Sequence, residues 1–259
     1  MAERQIAVAN FEQEAKMLAR LKHPNLPRVT DHFNEGGRHY MVMEFIEGET
    51  LDKRLESGQQ MPEAEVRNVA EQISLVLEHL HSQSPPIIFR DLKPGNIMVQ
   101  PDGRVKLIDF GIVRLFKPGK KKDTQLLGTP GYAAPEAYSG QTDARSDIFS
   151  LGMTLYALLT AKEPPQSIAG FQPQVELAAY SPEFSQVIIK AIKVKRDDRW
   201  ASASDMRQAL KSGLIPHQGR AGAGTKAIPG QQAATGGGIR GTTQRLTQTI
   251  ALQVKQMSN

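Results

Sequence analysis

The sequence contains no cysteine. Disulfides and cysteine-based zinc sites are therefore excluded, and nothing points to an oxidising compartment. No apolar run approaches the length that spans a bilayer. The opening segment MAERQIAVANFEQEAK lacks the apolar centre of a signal peptide, so a cytoplasmic location is expected. Acidic residues are missing from the last part of the chain. From Gly213 onward there are five basic residues, Arg220, Lys226, Arg240, Arg245 and Lys255, and no Asp or Glu. The net charge of +5 resides there, and the remainder balances at 27 basic to 27 acidic residues. That stretch also has no aromatic residue, so a specific nucleic-acid partner is not expected. A solubilising linker is the favoured reading, and a tether to nucleic acid or an anionic membrane ranks below it.

Residues 1–213 alternate apolar periodicity with turn signals, whereas 214–259 form a basic Gly/Ala/Gln-rich tail. The tail cannot bury enough apolar surface to offset chain entropy, which predicts disorder. Its final residues, with Leu246, Ile250, Val254 and Met257, fit a helical stripe, but Ile250, Leu252 and Val254 fit a strand equally well. Before the tail, Phe11, Ala15, Leu18 and Leu21 predict an amphipathic helix closed by Pro24 and Pro27. Two strands are predicted around Arg28–Phe33 and Arg38–Phe45, separated by the turn Asn34-Glu35-Gly36-Gly37. After Gly48 the chain reads as mainly helical. One helix carries Val66, Val69, Ile73, Val76, Leu77 and Leu80 on one face, and others are expected at Ser146–Leu159 and Glu183–Ile192. A β-rich patch spans Ile87–Ile108.

Two apolar-flanked loops carry chemistry. IIFRDLKPGNIMV is followed by VKLIDFGIVRL. Phosphoryl transfer asks for a positioned hydroxyl, Mg²⁺ bridging the phosphates, and positive charge on the moving group. Asp91 can accept or orient the hydroxyl proton. Lys93 can reach a γ-phosphate. Asn96 and Asp109 offer oxygen donors suited to Mg²⁺.

With these loops in place, the chain resembles the bacterial members of the eukaryotic-like Ser/Thr protein kinases. The markers come in the family's order: HYMVMEFIEGETL, FRDLKPGN, DFG, GTPGYAAPE, SDIFSLG and DDRW. The resemblance implies an α+β, protein-kinase-like fold with a mainly helical large lobe and an incomplete β small lobe. It implies ATP and Mg²⁺ as cofactors, protein partners bearing Ser or Thr acceptors, and a role in signalling. Lys93 two residues after Asp91 is similar to the Ser/Thr pattern, and Thr129 would pack against Asp91 and Lys93. Met43 would be the gatekeeper, Glu44 and Ile46 would present backbone groups to adenine, and Met98 would floor its pocket. Glu136 and Arg199 would form a buried ion pair, and Asp147 would hold the catalytic-loop backbone. Thr124 is the candidate phosphoacceptor of the activation segment, with Arg90 able to pair with its phosphate. Phe89 stands where the family usually has His, and would keep its place in an apolar stack with Leu18, Val29 and Phe110.

Glu14 matches a glutamate whose partner should be an upstream lysine, but no lysine precedes Lys16 and no glycine precedes Gly36. The phosphate-covering Gly-rich loop and the first small-lobe strands are thus missing from this sequence. The expectation is a start internal to a longer protein, or a truncated gene, in preference to a second chain supplying the layer. A catalytically impaired interaction module is the alternative reading.

Overall fold

The computed structural model describes residues 19–36, 38–109, 114–115 and 128–212. The N-terminal helix predicted around Phe11–Leu21 lies largely outside these residues; Ala19 and Arg20 are helical. The tail 214–259 also lies outside them.

The first complete unit is an antiparallel hairpin, β1 (Val29–Glu35) and β2 (Arg38–Met43). The chain turns at Gly36, whose φ of 60° is in the left-handed region open to glycine. The register shifts between Val29 and Asp31, where the Thr30 hydroxyl donates to the carbonyl of Val42 at 3.2 Å. β1 lies almost wholly in solvent, and Phe33 (41 % exposed) stacks on Tyr40. Met41 and Val42 are buried.

The chain then enters β3 (Glu49–Thr50) past Gly48, where φ is 145° and a Cβ would overlap the carbonyl oxygen of Val99. β3 pairs with β5 (Ile97–Val99), and β5 with β6 (Val105–Leu107), in a three-stranded antiparallel sheet. A third small sheet pairs β4 (Ile87–Ile88) with β7 (Arg114–Leu115). All of these strands are short. They serve as rigid edges for the loops between them.

Helices make up most of the remainder: α1 (Leu51–Glu56), α2 (Glu63–His81), α3 (Ala144–Thr160), α4 (Pro173–Leu177), α5 (Pro182–Ala191) and α6 (Ala203–Ser212). In α2 all six residues of the predicted apolar face are buried. In α3 every residue from Ser146 to Thr160 is buried, which is the pattern of a helix surrounded by protein on all sides. Asp143 caps α3 by accepting from Arg145 N–H at 2.8 Å, and Ser146 Oγ accepts from Asp143 N–H. α2, α5 and α6 pack around this axis, and the Arg207–Glu78 pair clips α6 to α2 through two contacts of 2.6 and 3.0 Å. The architecture is α+β with a mainly helical C-terminal part, as the sequence predicts. Among the described residues, no helix is long and apolar enough to cross a membrane.

Candidate active site

The site is assembled on the loop after β4. This loop turns sharply because Arg90 adopts φ of 72°, a left-handed conformation costly for a side chain with a Cβ. Asp147 on α3 holds the turn. Its Oδ2 accepts from Phe89 N–H and its Oδ1 from Arg90 N–H, both at 2.8 Å. Asp147 is fully buried, and His81 at the end of α2 places Nε2 2.9 Å from its Oδ2. A buried carboxylate is tolerated only when such partners surround it. Phe89 is buried within the main apolar core. Val29 packs against the same core, whereas Leu18 and Phe110 of the predicted stack lie outside the described residues.

Asp91 emerges from this turn with both carboxylate oxygens engaged. Thr129 Oγ1 donates to Oδ1 at 2.7 Å, and Asn96 Nδ2 donates to Oδ2 at 3.0 Å. Lys93 Nζ lies 3.2 Å from Oδ2 and donates to Thr129 Oγ1 at 2.8 Å. One hydroxyl thus bridges carboxylate and ammonium. Gly128 permits this approach: φ there is 104°, and a Cβ would sit 2.8 Å from Ala133 Cβ and 3.2 Å from Arg90 O.

Pro94 opens a 3-10 turn over Pro94–Asn96 that brings Asn96 back beneath Asp91. The Asn96 amide nitrogen donates a second time, to the carbonyl of Asp91 at 2.7 Å. With its nitrogen so occupied, the side chain has its oxygen left for a hard cation. The Asn96 carbonyl accepts Ile108 N–H at 2.8 Å, which ties this turn to the neighbour of Asp109. Asp109 is solvent-exposed at φ of 64°.

The segment from Met43 to Ile46 follows directly from the end of β2. Met43 is half-buried against the core, and the side chain of Ile46 is buried. Glu44 N–H donates to Arg28 O at 2.9 Å, so its carbonyl is the backbone group not used by that bond. The Glu44 carboxylate pairs with Lys106 Nζ at 2.6 Å, a contact that sequence spacing does not signal. Met98, partly exposed, sits mid-β5 opposite Thr50 and Lys106. Glu14 and Thr124 lie outside the described residues.

Further along the chain, Glu136 and Arg199 form a bidentate pair at 2.7 and 2.9 Å, with side chains 9 % and 0 % exposed. Burial alone would raise the Glu136 pKa. The hydrogen bonds from Arg199 and Ser146 overcome that and hold the carboxyl below its usual 4.5. Tyr132 is pushed up to about 12 by burial, with Glu163 and Asp52 adding to it, so its hydroxyl stays protonated. His81 is the one close partner of the Asp147 carboxylate that sequence reasoning missed. It stands one residue past the apolar positions of α2, and a lone histidine at a helix end gives no signal of a partner 66 residues away.

Comparison with known proteins adds the following. Residues 2–216 match the protein kinase domain family. A probable serine/threonine-protein kinase of Streptomyces coelicolor is 33% identical over 231 residues, covering 80% of this chain and 33% of that protein. The serine/threonine-protein kinase PknA of Nostoc is 32% identical over 227 residues, covering 82% of this chain and 40% of its own length. The serine/threonine-protein kinase PrkC of Bacillus subtilis is 32% identical over 219 residues, covering 79% and 34%. The chain spans 33% to 40% of the length of these relatives.

Proposed function

This chain belongs to the protein kinase family, and from that premise we propose that it transfers the γ-phosphate of ATP to serine and threonine hydroxyls of protein substrates in signalling. The observation that carries the reading is the contact set Asp91–Thr129–Lys93, in which acid, hydroxyl and ammonium meet within 3.2 Å. Asp91 orients the acceptor hydroxyl and takes up its proton as the oxygen attacks. Lys93 stands two residues on to neutralise charge growing on the transferred group. Asn96 and Asp109 would hold Mg²⁺, which supplies charge neutralisation between the phosphates. Their all-oxygen donor set would suit that ion.

Met43, the backbone of Glu44 and Ile46, and Met98 are assigned to the adenine. Glu14 is assigned to pairing with a phosphate-binding lysine, a residue absent from the positions before Lys16, and Thr124 to activation by phosphorylation. Asp147 and the Glu136–Arg199 pair act as positioning groups. An open groove lined by Gly131, Ala133, Pro135, Tyr138 and Ile168 begins two residues past Thr129 and offers the acceptor protein an apolar surface. The kinase unit is assigned to residues 1–213, with 214–259 as an appended tail.

Acceptor class is tested by phosphoamino-acid analysis after incubation with γ-labelled ATP, Mg²⁺ and a protein acceptor. Label is expected on phosphoserine and phosphothreonine. Label confined to phosphotyrosine would overturn the reading.

A further inference from the structure

His23 and His79 face each other where the loop from Leu21 to Arg28 meets α2, with ring centroids 5.3 Å apart and planes tilted by 30°. His23 Nδ1 accepts the N–H of Asn25 at 3.1 Å, so that nitrogen carries no proton. His79 Nε2 is buried and makes no hydrogen bond. A buried imidazole nitrogen without a partner is costly and needs an explanation.

The loop these rings support is a fastening. Asn25 Nδ2 donates to Gln72 Oε1 on α2 and to the carbonyl of Val105 on β6, both at 2.7 Å. Asn25 O accepts Leu107 N–H at 2.9 Å, and Arg28 O accepts Glu44 N–H at 2.9 Å. Through these bonds the β1–β2 hairpin and the segment after it are held to β6 and α2.

Among the described residues, the charged groups near the pair come from β6, α2 and the loop itself. From β6, Lys106 pairs with Glu44 at 2.6 Å and donates to Leu26 O at 3.1 Å. On α2, Glu78 is taken by Arg207. On the loop, Lys22 and Arg28 point into solvent. Among the described residues, the titratable groups acting on His23 are His79 and Lys106, and both disfavour a proton there.

We propose that the His23–His79 pair is an acid-released latch. Protonation breaks the Asn25 N–H to Nδ1 bond, places positive charge beside Lys106, and frees the loop and the hairpin it fastens. Burial, then His79, then Lys106 hold the His23 pKa below 6.5. The closed loop therefore favours neutral His23. Its stability is full above 6.5 and is lost as pH falls toward the lowered value. This latch concerns how the hairpin is held and is read on the loop itself, so it stands or fails apart from the phosphoryl-transfer reading.

The test is an NMR titration of the full chain from pH 8 to pH 5. It follows the His23 imidazole, the Asn25 amide and the exchange protection of Asn25 and Leu107, corrected for intrinsic rates. His23 is expected to titrate below 6.5, the Asn25 amide to shift with the same midpoint, and protection to fall by up to about tenfold per pH unit below 6.5. In His23→Asn, whose Oδ1 can still accept from Asn25, neutral-pH protection is kept and the acid step vanishes. Titration of His23 at or above 6.5, flat protection, or an equal acid loss in the variant each overturns the latch. Should the variant not fold, the wild-type titration decides alone.

Discussion

At the scale of single residues, the fold is held by side chains whose polar atoms are fully used. Glu136 is the clearest case, because its carboxylate faces Arg199 twice and Ser146 once in a nearly dry setting. Its folded pKa lies below 4.5, so the stability it contributes is present above that value and is lost as pH falls through the folded value. Glu136→Gln leaves a buried guanidinium without its counter-charge and is expected to cost about 3–5 kcal/mol at pH 7. The penalty should shrink as pH falls below 4.5, where the stability that the wild-type carboxylate contributes declines. Urea unfolding at pH 7 and pH 4 measures both. The grouping of Asp91, Lys93 and Asn96 was legible as a local pattern because these residues lie within one short loop. His81 on Asp147 and Glu44 on Lys106 were not, because each pair joins residues more than 60 positions apart.

At the scale of elements, periodicity read the long amphipathic segments well and the short ones poorly. The α2 face from Val66 to Leu80 was legible because six apolar residues repeat at helical spacing over four turns. The hairpin was legible from its turn, with Gly36 taking the positive φ that the sequence Asn34–Gly37 suggests. α6 was not foreseen. Its buried residues are Ala203, Met206, Ala209 and Leu210, two of them alanines, so its apolar stripe is faint against Asp205, Arg207 and Lys211. The two-residue strands β3 and β7 exist only through their partners and leave no periodic trace, whereas β4 opens the predicted β-rich patch Ile87–Ile108. Packing between elements gives a prediction of its own. α3 meets the end of α5 at Gly152, where a Cβ would sit 2.6 Å from Ile192 Cγ2 and 2.9 Å from Ala191 Cβ. Gly152→Ala raises helix propensity, yet is expected to lower stability by about 1–3 kcal/mol through overpacking. Denaturant unfolding that shows a net gain would contradict this packing.

At the scale of the whole molecule, the expected boundary near residue 213 is tested by cutting the chain after Pro216, where the family match ends. Trp200, the only tryptophan, is 2 % exposed, donates to Val187 O at 3.0 Å, and has Lys190 Nζ 4.1 Å from its ring centroid. Its fluorescence therefore reports unfolding of the α3–α5–α6 body. The shortened chain is expected to unfold within about 0.5 kcal/mol of the full one, the range of changes that touch no buried feature. The expected fold class was legible because the kinase-like segments come in order along the chain. The placement of Glu14 and Thr124 lies outside the described residues, so their assigned roles rest on sequence. The most direct test of the central claim is transfer of label from γ-labelled ATP with Mg²⁺ by the protein at its full encoded length and by its Asp91→Asn variant. The account predicts transfer by the wild type and a loss of about 10²–10⁴-fold in the variant with ATP binding retained. Equal labelling by the two proteins would contradict it.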